Sequence, residues 1–510
     1  MDVLVDAVRL LADFFGNIGL GFGVALSVQN LLLCFLGCLL GTVIGVLPGI
    51  GPLTTMAMVL PFTFWLEPVG GMIMLAGVFY GAQYGGSTTA ILVKIPGETS
   101  SVVALLDGHA LAQQGRAGPA LAIAALASLF AGTAVTMLVA LGGPPLASIA
   151  LLFQSADYVS VMLLGLVSAV VLAHGSVIKA IGMIALGVLL GLVGTDIQSG
   201  AYRLTMGIDA LFDGLGFVPI AMGIFGLGEI IHNIEHMAKA GHVPSRVTGL
   251  MPSMKDLRAC FPSMIRGTSV GAAFGILPGG GPTIAAFSAY TLEKKLSKHP
   301  ERFGHGAIEG VAAPEAANNA AAQASFIPML SLGIPPNALM ALMIGALMVH
   351  GIQPGPNVIS KQPELFWGLI ASMWIGNAML VILNLPLIGI WVRLLRVPYD
   401  YLFPTILTFC CIGTYTLNSS SSEVMVMTVF GVVGYVFRKL DCQPAPLLLG
   451  LVLGPLLEEN FRRAMQISDG DWLVFITRPL SAGFLIASVA LLVIVALPNV
   501  QRKREESLRE

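Results

Sequence analysis

The chain has 510 residues, of which 56% are hydrophobic and 11% are charged, and its mean hydropathy is +0.85. Soluble domains have about 45–50% apolar and about 25% charged residues, so this composition excludes an ordinary water-soluble domain and predicts a membrane protein. The net charge of −2 leaves no basic surface suited to nucleic acid. At about 20 apolar residues per span, the chain has room for about ten to twelve transmembrane helices.

The apolar runs predict an all-α polytopic membrane protein made of two membrane repeats. The N-terminal segment, 1–23, contains a short amphipathic helix at 3–16, and its acidic residues are unlike a cleaved signal peptide. The first repeat is predicted over 24–232, with helices at 24–47, 52–66, 69–93, 118–141, 157–174, 177–195 and 211–232. A polar cytoplasmic linker is predicted at 233–265. The second repeat is predicted over 266–498, with helices at 266–278, 282–292, 306–332, 335–352, 365–391, 399–417, 423–437, 443–457 and 471–498, followed by a charged tail at 499–510.

Two similar strings interrupt long apolar runs, one in each half of the chain. Gly-Val-Leu-Pro-Gly-Ile-Gly-Pro at 45–52 returns 230 positions later as Gly-Ile-Leu-Pro-Gly-Gly-Gly-Pro at 275–282, with six of eight residues identical. Proline removes a backbone donor and glycine tolerates unusual backbone angles, so each string predicts a broken helix. At membrane depth every broken backbone hydrogen bond needs another partner. Paired breaks of this kind are typical of duplicated transporters, whose substrate sites lie where the helices stop.

Basic residues in the loops predict the orientation of these breaks. Lys and Arg are enriched in cytoplasmic loops, and here they cluster at 233–266 and 293–305. If both loops are cytoplasmic, residues 266–292 form a re-entrant helical hairpin. The first copy is flanked by the acidic N-terminus and Glu67, which favours the opposite face. The sequence therefore predicts two re-entrant hairpins in an inverted repeat, and Arg502, Lys503 and Arg504 place the C-terminus inside.

The helix that follows each break is predicted to bind the carboxylate of a substrate. Helix N-termini carry free N–H donors and partial positive charge, which suit an anion. The alternative is a kink used only for packing, and the presence of two matched copies favours a site. The hairpin residues predicted to bind substrate are Pro48, Gly49, Gly51, Thr54, Thr55, Gly279, Gly281 and Thr283.

A second polar element follows each hairpin, at 84–98 and at 313–337. Each combines small residues, a polar cluster, an apolar stretch and an Ile-Pro pair that is predicted to end the helix, here called an Ile-Pro stop. Glu315 and the two asparagines after it lie beside an apolar run, where an ionisable side chain is costly; capping a helix is the alternative role of each Asn. Ser87, Thr88, Asn318 and Asn319 are predicted to bind substrate. Hydroxyls, amides and freed carbonyls suit a hard cation such as Na⁺, and the predicted cation ligands are Gly49, Ser87, Thr89, Gly279, Asn318 and Asn319.

Other chemistry finds little support in the sequence. The six cysteines and the scattered histidines lack the spacing of a disulfide framework or a transition-metal site, and the cysteines are interpreted as packing residues. There is no phosphate-binding string of an ATP motor, so no cofactor is expected and the driving energy should come from an ion gradient. Residues 107–118 are predicted to be a cytoplasmic connector. The rival functions are a passive anion channel and an intramembrane enzyme, for which Ser87 and His109 are the only tempting pair.

These segments resemble the large membrane subunit of the tripartite tricarboxylate transporter family, from about residue 20 to about residue 495. The resemblance is carried by 45–52, by Tyr84-Gly85-Gly86-Ser87 leading to Ile95-Pro96-Gly97, by Asp107-Gly108 with 115–118, and by the highly specific Pro314-Glu315-Ala316-Ala317-Asn318-Asn319-Ala320. It implies a secondary transporter of carboxylates such as citrate in a bacterial inner membrane, driven by a cation gradient with Na⁺ or H⁺ as the coupling ion. It also implies two partners, a small four-helix membrane subunit and a periplasmic substrate-binding protein. After Ala320 the chain departs from the family pattern, with Gln323-Ala324 and Ile334-Pro335-Pro336.

Overall fold

The structure is a computed structural model that describes residues 2–47, 51–94, 97–172, 176–196, 198–235, 249–277, 281–394 and 399–496. Over these ranges the chain is almost entirely helical, and its β-structure consists of an antiparallel pairing of Gly194–Thr195 with Tyr202–Arg203. The predicted all-α fold is confirmed.

The first half contains ten helices among the described residues. They are α1 (Asp2–Ala25), α2 (Val28–Val46), α3 (Pro52–Thr63), α4 (Pro68–Val93), α5 (Val102–Gln113), α6 (Ala117–Ala150), α7 (Ser155–Leu172), α8 (Val177–Gly191), α9 (Phe217–Ala221) and α10 (Gly228–Glu235). Of these, α5 was not predicted, and α6 extends nine residues past the predicted end at 141. A π-helical stretch, Met222–Leu227, joins α9 to α10 without a break, and a short 3₁₀ turn, Thr99–Ser101, precedes α5.

The second half contains thirteen further helices among the described residues. They are α11 (Met254–Ile276), α12 (Gly281–Leu296), α13 (Glu309–Ala324), α14 (Phe326–Leu332), α15 (Ala338–Val349), α16 (Asn357–Lys361), α17 (Pro363–Asn384), α18 (Ile388–Leu394), α19 (Tyr399–Asn418), α20 (Ser421–Lys439), α21 (Pro444–Ile467), α22 (Val474–Thr477) and α23 (Pro479–Ala496). α1 is longer than the predicted 3–16, and α11 begins inside the predicted linker because Ser253 and Asp256 form a capping box there.

Several helices have the length and hydropathy of membrane spans. Within the described ranges, Val28–Val46, Ala117–Ala150, Pro363–Asn384 and Ser421–Lys439 are long and apolar enough to cross a bilayer, and six shorter helices are strongly apolar. α4 and α13 are buried along almost their whole length, so their surroundings are protein on all sides. The total of about ten to twelve spans stays a prediction.

Glycines let the first and third helices of each repeat pack with their backbones in contact. Three glycines along α2 face α4 so closely that a Cβ atom on each would lie 2.2–2.3 Å from a carbonyl oxygen, and three along α11 meet α13 at 2.2–2.4 Å. The pairs are Gly37–Met74, Gly41–Val78, Gly45–Ala82, Gly267–Ala313, Gly271–Ala317 and Gly275–Ala321. Equivalent glycines are 230 residues apart and their partners 239 residues apart, so the duplication extends well beyond the two matching strings.

The register of these contacts shows that the chain reverses at each interruption. Residue numbers rise together along α2 and α4, so these helices are parallel and α3 between them runs back. The same relation holds for α11, α12 and α13. We call α2 and α3 with their connection hairpin 1, and α11 and α12 with theirs hairpin 2. Re-entry of each hairpin on a single face of the membrane stays a prediction.

The long helices α6 and α17 reveal the relative direction of the two repeats. α6 is parallel to α13, α17 is parallel to α4, and α6 and α17 are antiparallel, so α4 and α13 run in opposite directions. The contacts between α6 and α13 are Ser128–Asn319 and Thr136–Gln323. Those between α17 and α4 are Gly368–Val69 and Gly376–Tyr80, and those between α6 and α17 are Gly132–Asn377 and Gly143–Phe366. The repeats are therefore inverted relative to each other, as the loop charges predicted.

Two groups of helices pack around this core. α7 and α8 pack with α21 and α23, and Arg478 forms an ion pair with the buried Asp157 at 2.7 Å. The segment from α9 to α10 packs against α20, where Gly223 and Gly228 lie directly on the α20 backbone. α3 is the part of hairpin 1 that contacts this second group.

We predict that adding a methyl group at the glycine contacts destabilises the protein. In G41A or G271A the new Cβ meets a backbone carbonyl oxygen at 2.3 Å, and such overpacking costs about 1–3 kcal/mol. The thermal unfolding temperature in detergent should fall for both variants. The matched control is G182A, because Gly182 lies in α8 with open space around it. Equal unfolding temperatures for G41A and G182A would show that the glycines do not set the contact.

Candidate functional site

The ends of both hairpins approach the short segment 97–99. A Cβ atom on Gly97 would lie 2.0 Å from the Gly45 carbonyl oxygen, so this backbone rests on the end of α2. The Thr99 hydroxyl lies 3.1 Å from the hydroxyl of Thr283, in the first turn of α12. Gly97 and Thr99 are two residues apart, and two residues of chain span at most about 7 Å. The two interruptions therefore lie close together, as the predicted site requires.

The predicted hairpin residues differ in their surroundings. Pro48, Gly49 and Gly279 lie outside the described residues. Gly281 has a φ of 59°, which glycine adopts without strain, and it opens α12. Thr283 is partly exposed beside Thr99. On hairpin 2, therefore, the predicted hydroxyl lies at the point where the two repeats meet.

On hairpin 1 the predicted hydroxyls already have partners within the protein. Thr54 is buried, and its hydroxyl bonds to the Phe225 carbonyl oxygen at 2.8 Å and to the carboxylate of Glu229. The Thr55 hydroxyl donates to the Gly51 carbonyl at 3.1 Å. The two hairpins are thus unequal, because hairpin 1 is tied to the segment from α9 to α10.

A polar cluster connects α4, α6 and α13 beside these hairpin ends. The Ser87 hydroxyl on α4 donates to the Glu315 carboxylate on α13 at 2.6 Å. The Asn319 amide donates to the Ser128 hydroxyl on α6 at 2.7 Å. We call the following residues the central polar cluster: Ser87, Glu98, Ser100, Ser128, Glu315, Asn318 and Asn319.

Glu98 joins the central polar cluster from the turn after α4. Its carboxylate accepts a hydrogen bond from Ser100 and lies 3.4 Å from the Asn318 amide nitrogen. Gly86 makes room for it, since a Cβ atom there would lie 2.9 Å from the Glu98 Cγ atom. Asn318 is one helical turn from Glu315 on the same face of α13. Two carboxyl groups therefore share one small region.

Among the described residues, the carboxyl groups of this region have no basic partner, and some of its oxygen atoms are unused. None of the ion pairs formed by the described residues includes Glu98 or Glu315. One carboxylate oxygen of Glu315 and the amide oxygen of Asn318 are buried without a hydrogen-bond partner. A cavity bounded by Tyr84, Ser87, Ser128 and Glu315 has room for about one water-sized particle. The arrangement suits a small cation bound by oxygen atoms.

The two threonines after Ser87 have different positions. Thr88 lines the cavity, and its hydroxyl bonds back to the Tyr84 carbonyl at 3.2 Å. Thr89 donates to the carbonyl of Val46 at 2.8 Å, so it satisfies a free carbonyl at the end of α2. Ser325 does the same for Gly275 at the end of α11, at 3.3 Å. In this conformation Thr89 and Ser325 hold the hairpin ends against the neighbouring helices.

Comparison with known proteins identifies the family. The model of the tripartite tricarboxylate transporter TctA family matches residues 31–449. The chain belongs to this family.

Two relatives of this TctA-family chain come from Agrobacterium vitis. One, described as an uncharacterized 52.8 kDa protein in the TAR-I ttuC' 3' region, is 54% identical over 496 residues, which cover 97% of this chain and 99% of the relative. The other, an uncharacterized protein in the TAR-II ttuC' 3' region, is 57% identical over 236 residues, which cover 46% of this chain and 98% of the relative. No solved structure matches the chain.

Some residues of this TctA-family site were not selected from the sequence. Glu98 ends the string 84–98, and the interval of 239 residues aligns it with Asn337, which caps α15 through a 3.0 Å bond to the Met340 amide. Aligning Ile95-Pro96 with Ile334-Pro335 therefore points to Glu98 as a residue just after a predicted helix break. Ser128 lies in an apolar helix and carries no such signal. Glu229 was detectable as a carboxylate inside the predicted helix 211–232.

Residues 107–113, predicted to belong to a connector, form the end of α5. Asp107 is fully buried, and its carboxylate accepts hydrogen bonds from the backbone N–H groups of Gly304, Gly306 and Ala307 at 2.8–2.9 Å and from the Tyr290 hydroxyl at 2.9 Å. These bonds fix α5 of the first repeat on the second repeat.

We predict that D107A loosens this junction strongly. The change leaves three backbone donors without their acceptor, at about 1–3 kcal/mol each, so the thermal unfolding temperature in detergent should fall by more than for the glycine variants. D209A is the matched control, because Asp209 is exposed in the 3₁₀ turn Asp209–Leu211 before α9. An unfolding temperature for D107A equal to that of D209A would contradict the prediction.

Proposed function

We propose that this TctA-family chain is the large membrane subunit of an importer of small tricarboxylates or dicarboxylates, such as citrate, driven by a cation gradient. The observation that supports the proposal most directly is the central polar cluster. It combines two carboxyl groups that lack a basic partner among the described residues with unused oxygen atoms, beside the ends of two inverted hairpins.

Charge balance explains why a cation belongs in this site. An unpaired carboxylate is expensive to bury at membrane depth, and with no Arg or Lys in the cluster the compensation must come from a small cation or a proton. Na⁺ takes the oxygen ligands that Ser87, Glu315, Asn318 and Glu98 offer, and it supplies positive charge for an anionic substrate. Na⁺ binding and carboxylate binding then favour each other, which is the requirement for symport.

The substrate carboxylate is assigned to the hairpin ends. The N-terminus of α12 presents free backbone N–H groups and the Thr283 hydroxyl next to Thr99, two groups that suit an anion. Inverted repeats allow the same central site to open alternately to the two sides of the membrane. The family resemblance supports two partners, a small four-helix membrane subunit and a periplasmic protein that delivers the substrate, and a location in the bacterial inner membrane.

The direct test is transport by the complete complex in proteoliposomes. Uptake of a panel of radiolabelled dicarboxylates and tricarboxylates is measured with the partner proteins present, with and without a Na⁺ gradient. Uptake and counterflow of at least one carboxylate, stimulated by the cation gradient, are expected. A passive channel gives no counterflow, and conversion of the carboxylate without uptake would indicate an enzyme.

We predict that N318L and N319L abolish cation-stimulated uptake while the protein still inserts in the membrane. Each change removes an amide from the central polar cluster, and losing one such group weakens ion affinity about tenfold or more. Asn357 is exposed at the start of α16, so N357L serves as the control. Uptake by N318L and N319L with wild-type ion dependence would show that these residues do not serve the coupling ion.

We also predict that Na⁺ stabilises the purified protein and that E315Q removes this effect. A ligand that binds only the folded state raises the unfolding temperature, so the wild-type protein in detergent should unfold at a temperature a few degrees higher in NaCl than in KCl at constant pH. E459Q is the control, since Glu459 is paired with Arg463 at 2.6 Å, away from the cluster. Equal unfolding temperatures in the two salts for the wild type would argue against a Na⁺ site.

A further inference from the structure

Glu229 occupies the helix end that was predicted to receive the substrate on hairpin 1. α3 begins with Pro52 at its first position, and its N-cap residue, Gly51, provides no side-chain cap. The Glu229 carboxylate takes this place, since it bonds to the Thr54 hydroxyl and interacts with the backbone N–H of Gly51. A carboxylate at a helix N-terminus is favourable for the same reason that a bound substrate carboxylate is.

The position of Glu229 is fixed by elements outside hairpin 1. The Phe225 carbonyl lies in the π-helical stretch directly before α10 and accepts from Thr54 at 2.8 Å, and such stretches are frequent at functional sites. Arg438 on α20 lies 3.4 Å from the second oxygen of Glu229. The close contacts of Gly223 and Gly228 with the α20 backbone hold the two charged residues on one unit.

The contact is a polar bond between two parts of the protein. The first part is hairpin 1, which belongs to the repeat that carries Ser87 and Glu98. The second part is the peripheral pair of α10 and α20. Both charged side chains remain partly exposed, Glu229 at 15% and Arg438 at 26%, so each can be hydrated once the contact opens.

We propose that Glu229 is an internal competitor of the substrate, a specificity-determining residue whose carboxylate occupies the N-terminus of α3 and is displaced when a substrate carboxylate binds there. This inference rests on the proposed carboxylate transport. The chain's own carboxylate demonstrates the chemistry that this helix end accepts, which is a carboxylate bonded to the Thr54 hydroxyl beside the backbone N–H of Gly51. Arg438 keeps the displaced Glu229 paired, so the exchange leaves no isolated charge.

The test compares E229Q with the wild type in the complete transporter in proteoliposomes, with citrate and succinate as probes. Glutamine keeps the size of the side chain and removes its charge, so the α3 N-terminus loses its anionic competitor. The KM of the transported probe should fall about twofold to fivefold, the range expected for a carboxylate at a helix N-terminus. E235Q is the matched control, because Glu235 lies on the same helix and pairs with Lys439 away from α3.

A second measurement tests the contact between Glu229 and α3 without a transport assay. Leu53, partly buried in the first turn of α3, is replaced by cysteine. The rate at which a maleimide labels this cysteine is compared in L53C, L53C/E229Q and L53C/E235Q. The protein without L53C gives the background labelling. Faster labelling in L53C/E229Q alone supports the contact that Glu229 makes. Equal labelling rates in the three variants would overturn it, even if E229Q proves poorly expressed.

The outcomes separate this inference from the proposed function. If the wild-type complex imports no carboxylate of any kind, the proposed function fails and the competition fails with it. If the wild type imports a probe and the KM of E229Q is unchanged or higher, the role of Glu229 alone is overturned. A lower KM in E229Q, with E235Q like the wild type, supports the competition.

Discussion

Backbone contact between parallel helices is the constraint on which the rest of this structure depends. On α2 and α11 every fourth residue of the contacting face is glycine, and there is no space for even one methyl group between these helices and α4 or α13. In a bilayer, where apolar side chains gain little by leaving lipid, such close packing is a main source of helix association. The contact also sets the register of the two helices of each pair. The broken ends of α2 and α11 are thereby brought to the hydroxyls of Thr89 and Ser325.

The two repeats share this frame but carry different charges. Glu98 and Asn337 occupy equivalent positions after an Ile-Pro stop, and both act at the start of a helix. One of them brings a carboxylate to the central polar cluster, whereas the other is neutral. Likewise, the helix end of hairpin 1 has an internal carboxylate in Glu229, while Thr283 on hairpin 2 lies 3.1 Å from another hydroxyl, that of Thr99. The two repeats have the same helix arrangement but different side chains, and the site between them therefore has a net negative charge.

Much of the fold was predictable because membrane-depth backbone allows few alternatives. The ends of α4, α7 and α19 fall within two residues of the predicted limits, since apolar runs in this chain stop at charged or turn residues. The inverted arrangement was also predictable, because loop charge alone reports orientation. Predictions failed where a helix extends through polar residues. The capping box at Ser253 starts α11 early, and Asp107 lies in a helix because three backbone N–H groups of the other repeat bind its carboxylate.

The sequence by itself determined that the protein is a helical membrane protein, that it is duplicated, and that helices break at two matched positions. Composition, loop charge and the proline and glycine strings act locally, so they can be interpreted without knowing which helices touch. Only the tertiary structure decided which polar groups meet. Ser87 and Glu315 are 228 residues apart, and Thr54 and Glu229 are 175 residues apart. Their pairing depends on the crossing of α4 with α13 and on the packing of α3 against α9 and the π-helical stretch that precedes α10. No local pattern in the chain encodes these two contacts, since each is produced by the packing of whole helices.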